Sequence, residues 1–194
     1  MRENRMLRNT ETNPLNITVM ITSDMKAAIN EQINAELWSA YLYLSMSLDA
    51  ESKALKGVAN WFYIQWLEEQ DHARIFQKYM NSQGAKVVLF PIENVPNEWK
   101  SVMEMFNDTL KHEMEVTSMI AGLMNMAVAD NDYATQNRLQ WFIDEQVEEE
   151  EQARDILENF QSVRDPLHHH QLDREMAKRR YVRSAPLGLD GLTD

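Results

Sequence analysis

The chain has 194 residues, enough for one sizeable core and short for two domains. Its 31 acids against 19 bases leave a formal charge of −12, which argues against nucleic acid as the main partner and suits a protein that attracts cations. No cysteine is present, so disulfides and thiolate metal sites are excluded, in keeping with a reducing compartment.

Arg2, Arg5 and Arg8 are not followed by an apolar segment of signal length, and no run approaches a membrane span. The expectation is a soluble, cytoplasmic protein with no membrane partner. Only five Gly and five Pro occur, which predicts long uninterrupted helices.

Residues 1–21 are polar, contain Pro14 and show no period, so they read as a flexible N-terminal extension. From Ser23, a plausible N-cap, Ile29, Ile33, Glu36, Ala40, Tyr43 and Ser47 recur at helical steps to about Ala50. A polar break at Glu51 to Lys53 leads to a second helix, ending near Ser82, with the stripe Val58, Phe62, Gln65, Glu69, His72, Phe76 and Tyr79. Gly84 is its stop signal.

Residues 83–97, with Pro91 and Pro96, form a connection that spans roughly 50 Å at ~3.3 Å per residue. Asn97 is expected to cap a third helix with the stripe Val102, Phe106, Leu110, Glu113, Thr117, Ile120 and Met124. After a tight break at 129–132, a fourth helix carries Leu139, Phe142, Gln146, Glu149, Ala153, Ile156 and Phe160. His168, His169 and His170 read as a solvated linker, about Gln171 to Arg180 as a short fifth helix, and the final residues as a tail. The division is an extension at 1–21, a bundle at 22–163, and a short helix with tail at 164–194.

Helices of ~29 residues are about 43 Å long. Only the connection between the second and third spans that length, so those two run parallel and the others pair as antiparallel hairpins. The fold class is all-α, a four-helix bundle with one long crossover, the ferritin-like connectivity.

Each stripe is interrupted by polar groups: Glu36 in the first, Glu69 and His72 in the second, Glu113 in the third, and Gln146 and Glu149 in the fourth. Counted from the hairpin breaks, Glu36 and Glu69 fall roughly 15 to 18 residues from the first and Glu113 and Gln146 in a similar range from the second, which places the polar groups in one central layer. Unpaired carboxylates there would each cost several kcal/mol of desolvation, a penalty that bound cations remove. Three carboxylates, a carboxamide and an imidazole suit iron, and five side chains suit two adjacent ions.

On its own, Glu69-x-x-His72 would be an ordinary surface pair; the other interruptions, in register with it, turn it inward. Tyr43 either hydrogen-bonds a ligand or donates an electron, or is a core tyrosine with a satisfied hydroxyl. Met119, Met124 and Met126 read as gap-filling core and not as haem ligands, so no haem is expected. The acidic run at 148–151 is either a solvated face or, through Glu148 and Glu149 with Glu68 and Glu145, an outer acidic site.

The segments NEQINAELWSAYLYL (30–44), EEQDH (68–72), KHEMEVT (111–117) and NDYATQNRLQWFIDEQVEEE (131–150) resemble the bacterial non-haem ferritins in order and spacing. That resemblance implies a ferroxidase centre with Glu36, Glu69 and His72 on the first iron, Glu69 bridging, and Glu113 and Gln146 completing the second. It also implies a third iron site at Glu149 with Glu68, Glu145 and Glu148, Tyr43 beside the centre, oxidation of Fe(II) by O2 or peroxide, and a shell of 24 copies. A second Glu-x-x-His is absent, because Glu113 is followed three residues later by Val116, so the second iron is expected to be held loosely. The alternatives are a rubrerythrin-like or oxygenase di-iron protein, and a non-catalytic shell subunit.

Overall fold

The computed structural model describes residues 21–162 and 166–183. They form five helices and, among the described residues, no strand: α1 (Ser23–Ser52), α2 (Lys56–Ser82), α3 (Val102–Ala129), α4 (Tyr133–Ser162) and α5 (Pro166–Met176). No helix among them is long and apolar enough to cross a membrane. Residues 1–20 and the segment 184–194, which the sequence assigns to an extension and a tail, lie outside the described residues. Ile21, counted with the extension, is buried at the edge of the core.

Helix boundaries follow local hydrogen-bond chemistry and correct the sequence in three places. Thr22, not Ser23, caps α1, its hydroxyl accepting from the Met25 amide at 3.2 Å. α3 starts after Ser101, whose Oγ accepts from the Glu104 amide at 3.1 Å, so Asn97 belongs to the connection. The anchor that delays α3 is Trp99, buried and donating its indole N–H to Asp108 at 3.0 Å. α5 begins at Pro166, a residue suited to a first helical turn because its missing N–H has no partner there anyway. The histidine tract therefore lies in α5, exposed, and not in a linker. Gly84, at φ 68°, closes α2 in the left-handed conformation as expected.

The crossover explains the topology. Val88 donates its amide to Asn30 at 2.8 Å, Trp38 donates to the Glu93 carbonyl at 3.0 Å, and Ser45 donates to the Pro96 carbonyl at 2.7 Å. As the crossover advances, its partners advance along α1, so it runs the length of α1 and delivers α3 to the end where α2 began. α2 and α3 are thus parallel, while short breaks at 53–55 and 130–132 make hairpins of α1 with α2 and of α3 with α4.

Two apolar clusters fill the bundle. One holds Met25, Ile29, Ile33, Phe76, Ile120 and Phe142, with Phe76 stacked on Phe142 at 4.0 Å between ring centroids. The other holds Met46, Val58, Phe62, Met105, Phe106 and Phe160, with Phe62 stacked on Phe106 at 4.9 Å. Each phenylalanine contributes enough that truncation to alanine costs about 3–5 kcal/mol. Between the clusters lies a layer of buried polar residues from all four long helices.

α5 completes one end. α2 has no side-chain cap of its own, and Asp173 of α5 supplies one, its Oδ1 accepting from the Gly57 and Val58 amides at 2.8 and 2.9 Å. The backbones meet so closely that a Cβ on Gly57 would lie 1.5 Å from the Asp173 carbonyl oxygen.

Candidate metal centre

In the polar layer, α1 and α2 deliver one compact group. Glu36, Glu69 and His72 each offer one ligand atom, and these atoms lie within 4.8 Å of one another. The i, i+3 spacing puts Glu69 and His72 on one face of α2, with His72 Nδ1 3.3 Å from Glu69 Oε2. All three residues are at most 2 % exposed. Glu36 also accepts from Gln32 Nε2 at 2.8 Å, and the His72 ring rests edge-on against Trp141 and Phe142.

The group is electrostatically unfinished. Burial, then the charge of Glu69, pushes the Glu36 carboxyl well above the usual carboxylate range. Burial, then the charge of Glu113, does the same to Glu69. His72 Nε2 is buried with no hydrogen-bond partner. A cation among these oxygens and the imidazole offsets the desolvation of two buried carboxylates. The donor set therefore fits a borderline divalent ion such as Fe(II).

α3 and α4 face this group with Glu113, Gln146 and Glu149, all buried. Here protein donors already serve the oxygens. Tyr43 of α1 donates its hydroxyl to Glu113 Oε1, and Gln146 Nε2 lies 3.2 Å from Glu113 Oε2 and 3.1 Å from the Glu113 carbonyl. Burial and the neighbouring Glu113 and Glu69 charges hold the Tyr43 hydroxyl protonated, as a donor must be. Glu149 accepts from Gln65 Nε2 at 2.7 Å, and burial, then Glu113, raises its carboxyl well above the ordinary range.

The outer acids have partners of their own. Among the described residues, Glu36, Glu69 and His72 are the only His, Asp and Glu side chains grouped at ligand distance; Glu68 and Glu145 are close enough for each charge to act on the other, as are Glu145 and Glu148. Glu68 is ion-paired to Arg179 at 2.7 Å. Glu145 is half-buried, and its carboxyl is raised by burial. Glu148 is exposed and accepts from Gln152 Nε2 at 2.8 Å. Met124 and Met126 pack against the core, whereas Met119 is exposed and corrects the expectation that all three fill it.

The sequence reading passed over three participants. Gln32 and Gln65 each sit one turn before a ligand-type glutamate, at i−4 from Glu36 and Glu69, and that spacing was visible. Arg179 was not findable, since no periodicity connects it to α2.

A four-helix bundle with one long crossover, holding a buried carboxylate and imidazole group at mid-height, defines a metal-carboxylate bundle protein. The ferritin-like domain matches residues 26–163. A bacterial non-heme ferritin of Bacteroides fragilis is 38% identical over 146 residues, covering 75% of this chain and 92% of that protein. One from Staphylococcus epidermidis is 37% identical over 131 residues, covering 68% of this chain and 79% of its own length. Among solved structures, an engineered closed form of the Archaeoglobus fulgidus ferritin superposes with a TM-score of 0.82 at 42% identity, covering 84% of this chain and 99% of that one. The open-pore ferritin of the same archaeon gives 0.81 at 42% identity, covering 82% and 99%. The chain belongs to the ferritin family, the iron-storage proteins.

Proposed function

We propose that this ferritin is a ferroxidase that oxidises Fe(II) at the central polar layer and passes Fe(III) to a mineral inside a shell of 24 copies. The observation that carries the reading is the buried Glu36, Glu69 and His72 group with His72 Nε2 left unpartnered. Iron is the substrate. Glu36, Glu69 and His72 take the first ion, and Glu69 is shared with a second ion that Glu113 and Gln146 complete. Two ferrous ions give one electron each, so a pair reduces O2 to hydrogen peroxide with uptake of two protons, or peroxide to water.

The chain's part is to hold the two ions side by side and to exclude bulk water. Tyr43 donates its hydroxyl to Glu113 and lies within reach of the layer as an electron donor. Glu149, with Glu68, Glu145 and Glu148, forms the third site, toward which product moves. The division into a 22–163 bundle flanked by 1–21 and 164–194 belongs to the same reading, as does a cytoplasmic location.

The test is anaerobic Fe(II) loading of the assembled protein followed by oxygen, read as iron per chain with the particle mass in parallel. Loading far beyond two irons per chain in a large shell is expected. Retention of about two, in a monomer or dimer, would favour a rubrerythrin-like or oxygenase protein, and absence of oxygen consumption would favour a non-catalytic shell subunit.

A further inference from the structure

Beyond α5 the chain does not leave the bundle. Asn60 Nδ2 donates to the Met176 and Arg179 carbonyls, each at 3.2 Å, and the Tyr181 hydroxyl donates to Asp71 Oδ2 at 2.5 Å. Residues 177–183 are therefore strapped along α2, from its first turns to the level of the metal centre. Midway, the Arg179 guanidinium lies over the Trp61 ring, 4.9 Å from its centroid, and donates Nη2 to Glu68 Oε2 at 2.7 Å.

Glu68 immediately precedes Glu69 and is one of the oxygens assigned above to the third iron site. Burial raises its carboxyl and the Arg179 charge lowers it again, so the guanidinium is the main positive neighbour of this half-buried acid. Beside it in the layer, Gln65 is fully buried with Oε1 unpartnered while its Nε2 holds Glu149.

We propose that Arg179 is a built-in counter-cation for Glu68, so that the C-terminal strap and a metal ion compete for the same carboxylate. A guanidinium at 2.7 Å from Oε2 and an ion coordinated by Glu68 place two positive charges on one partly buried group, and each therefore weakens the other. When a metal arrives, Arg179 is displaced and the strap loosens; when the metal moves on to the mineral, the strap re-closes and returns Glu68 to its resting partner. Arg179 is thus a positioning residue that limits how long product stays at the third site. By linkage, the factor by which the strap weakens the ion equals the factor by which the ion weakens the strap.

This inference rests on the third-site reading, and the experiment separates the two. Zn(II), which is not oxidised, is titrated calorimetrically into the full-length assembled protein as wild type, Arg179→Ala, Arg179→Lys and Glu68→Gln. Hydrogen exchange of residues 177–183 is followed in the wild type with and without Zn(II). The last ion to bind should tighten about tenfold in Arg179→Ala and less in Arg179→Lys, and disappear in Glu68→Gln. Exchange in 177–183 should speed up by a similar factor when Zn(II) is added. If Glu68→Gln loses an ion but Arg179→Ala matches the wild type, the competition is wrong and the third site stands. If Glu68→Gln binds as the wild type does, the third site and the inference fall together. Slower or unchanged exchange on adding Zn(II) overturns the inference without any variant.

Discussion

The two halves of the polar layer solve the same electrostatic problem differently. On the α1–α2 side, three ligand atoms are already gathered, burial raises the carboxyls of Glu36 and Glu69, and His72 Nε2 has no partner. On the α3–α4 side, Glu113 is served by Tyr43 and Gln146, and Glu149 by Gln65. An ion entering the first half relieves a penalty, whereas one entering the second must displace hydrogen bonds that the protein already makes. Under the proposed di-iron reading the second ion is expected to be held less tightly than the first, and the cause lies as much in the donors around Glu113 and Glu149 as in the missing second histidine.

The strongest way to break this comparison is to remove the shared ligand. Glu69→Ala should slow rapid Fe(II) oxidation by about a hundredfold or more in stopped-flow absorbance, and His72→Ala should do nearly the same. Glu69→Ala also removes a buried like charge, so its metal-free form should melt no lower than wild type despite the lost side chain. Oxidation at the wild-type rate in both variants would sink the assignment of the first half.

A second measurement uses pH. The carboxyls of Glu36, Glu69 and Glu149 are raised well above 4.5, so the folded chain keeps protons that the unfolded chain releases. Their contribution to metal-free stability is fully present below about pH 4.5 and is lost as pH rises through the raised values. The gap in Tm between Zn(II)-loaded and chelator-stripped protein should accordingly widen from about pH 5 to about pH 8. A constant gap would mean that these acids ionise freely without metal.

The smallest effect sharpens the second half. Tyr43→Phe frees Glu113 from its hydroxyl donor, and one net hydrogen bond is worth about 1 kcal/mol. The second Zn(II) should bind about fivefold tighter in anaerobic calorimetry while the first is unchanged. Weaker binding of the second ion would show that the hydroxyl supports the site instead of competing for it.

The pattern of the chain was sufficient for much of this. Apolar steps of three and four, few Gly and Pro, and a single long connection dictate four long helices with α2 parallel to α3. Glu36, Glu69, His72, Glu113, Gln146 and Glu149 interrupt those steps at matched depths, which locates the layer because a helix rises a fixed 1.5 Å per residue. Helix starts were less legible: Asn97 is a good cap by type, but burial of Trp99 fixes the chain beyond it, and a local rule gives way to a tertiary anchor.

What only the tertiary structure decided is who hydrogen-bonds whom within the layer and what lies over it. Tyr43 reaches Glu113 across 70 residues of sequence, Gln65 reaches Glu149 across 84, and Arg179 reaches Glu68 across 111. Periodicity assigns a residue to a face and a height; it carries no information about which donor on another helix shares that height. The sequence by itself thus determined where charge is buried in this ferritin, and the packing of α1 on α3, α2 on α4 and the C-terminal strap on α2 determined how each buried charge is balanced.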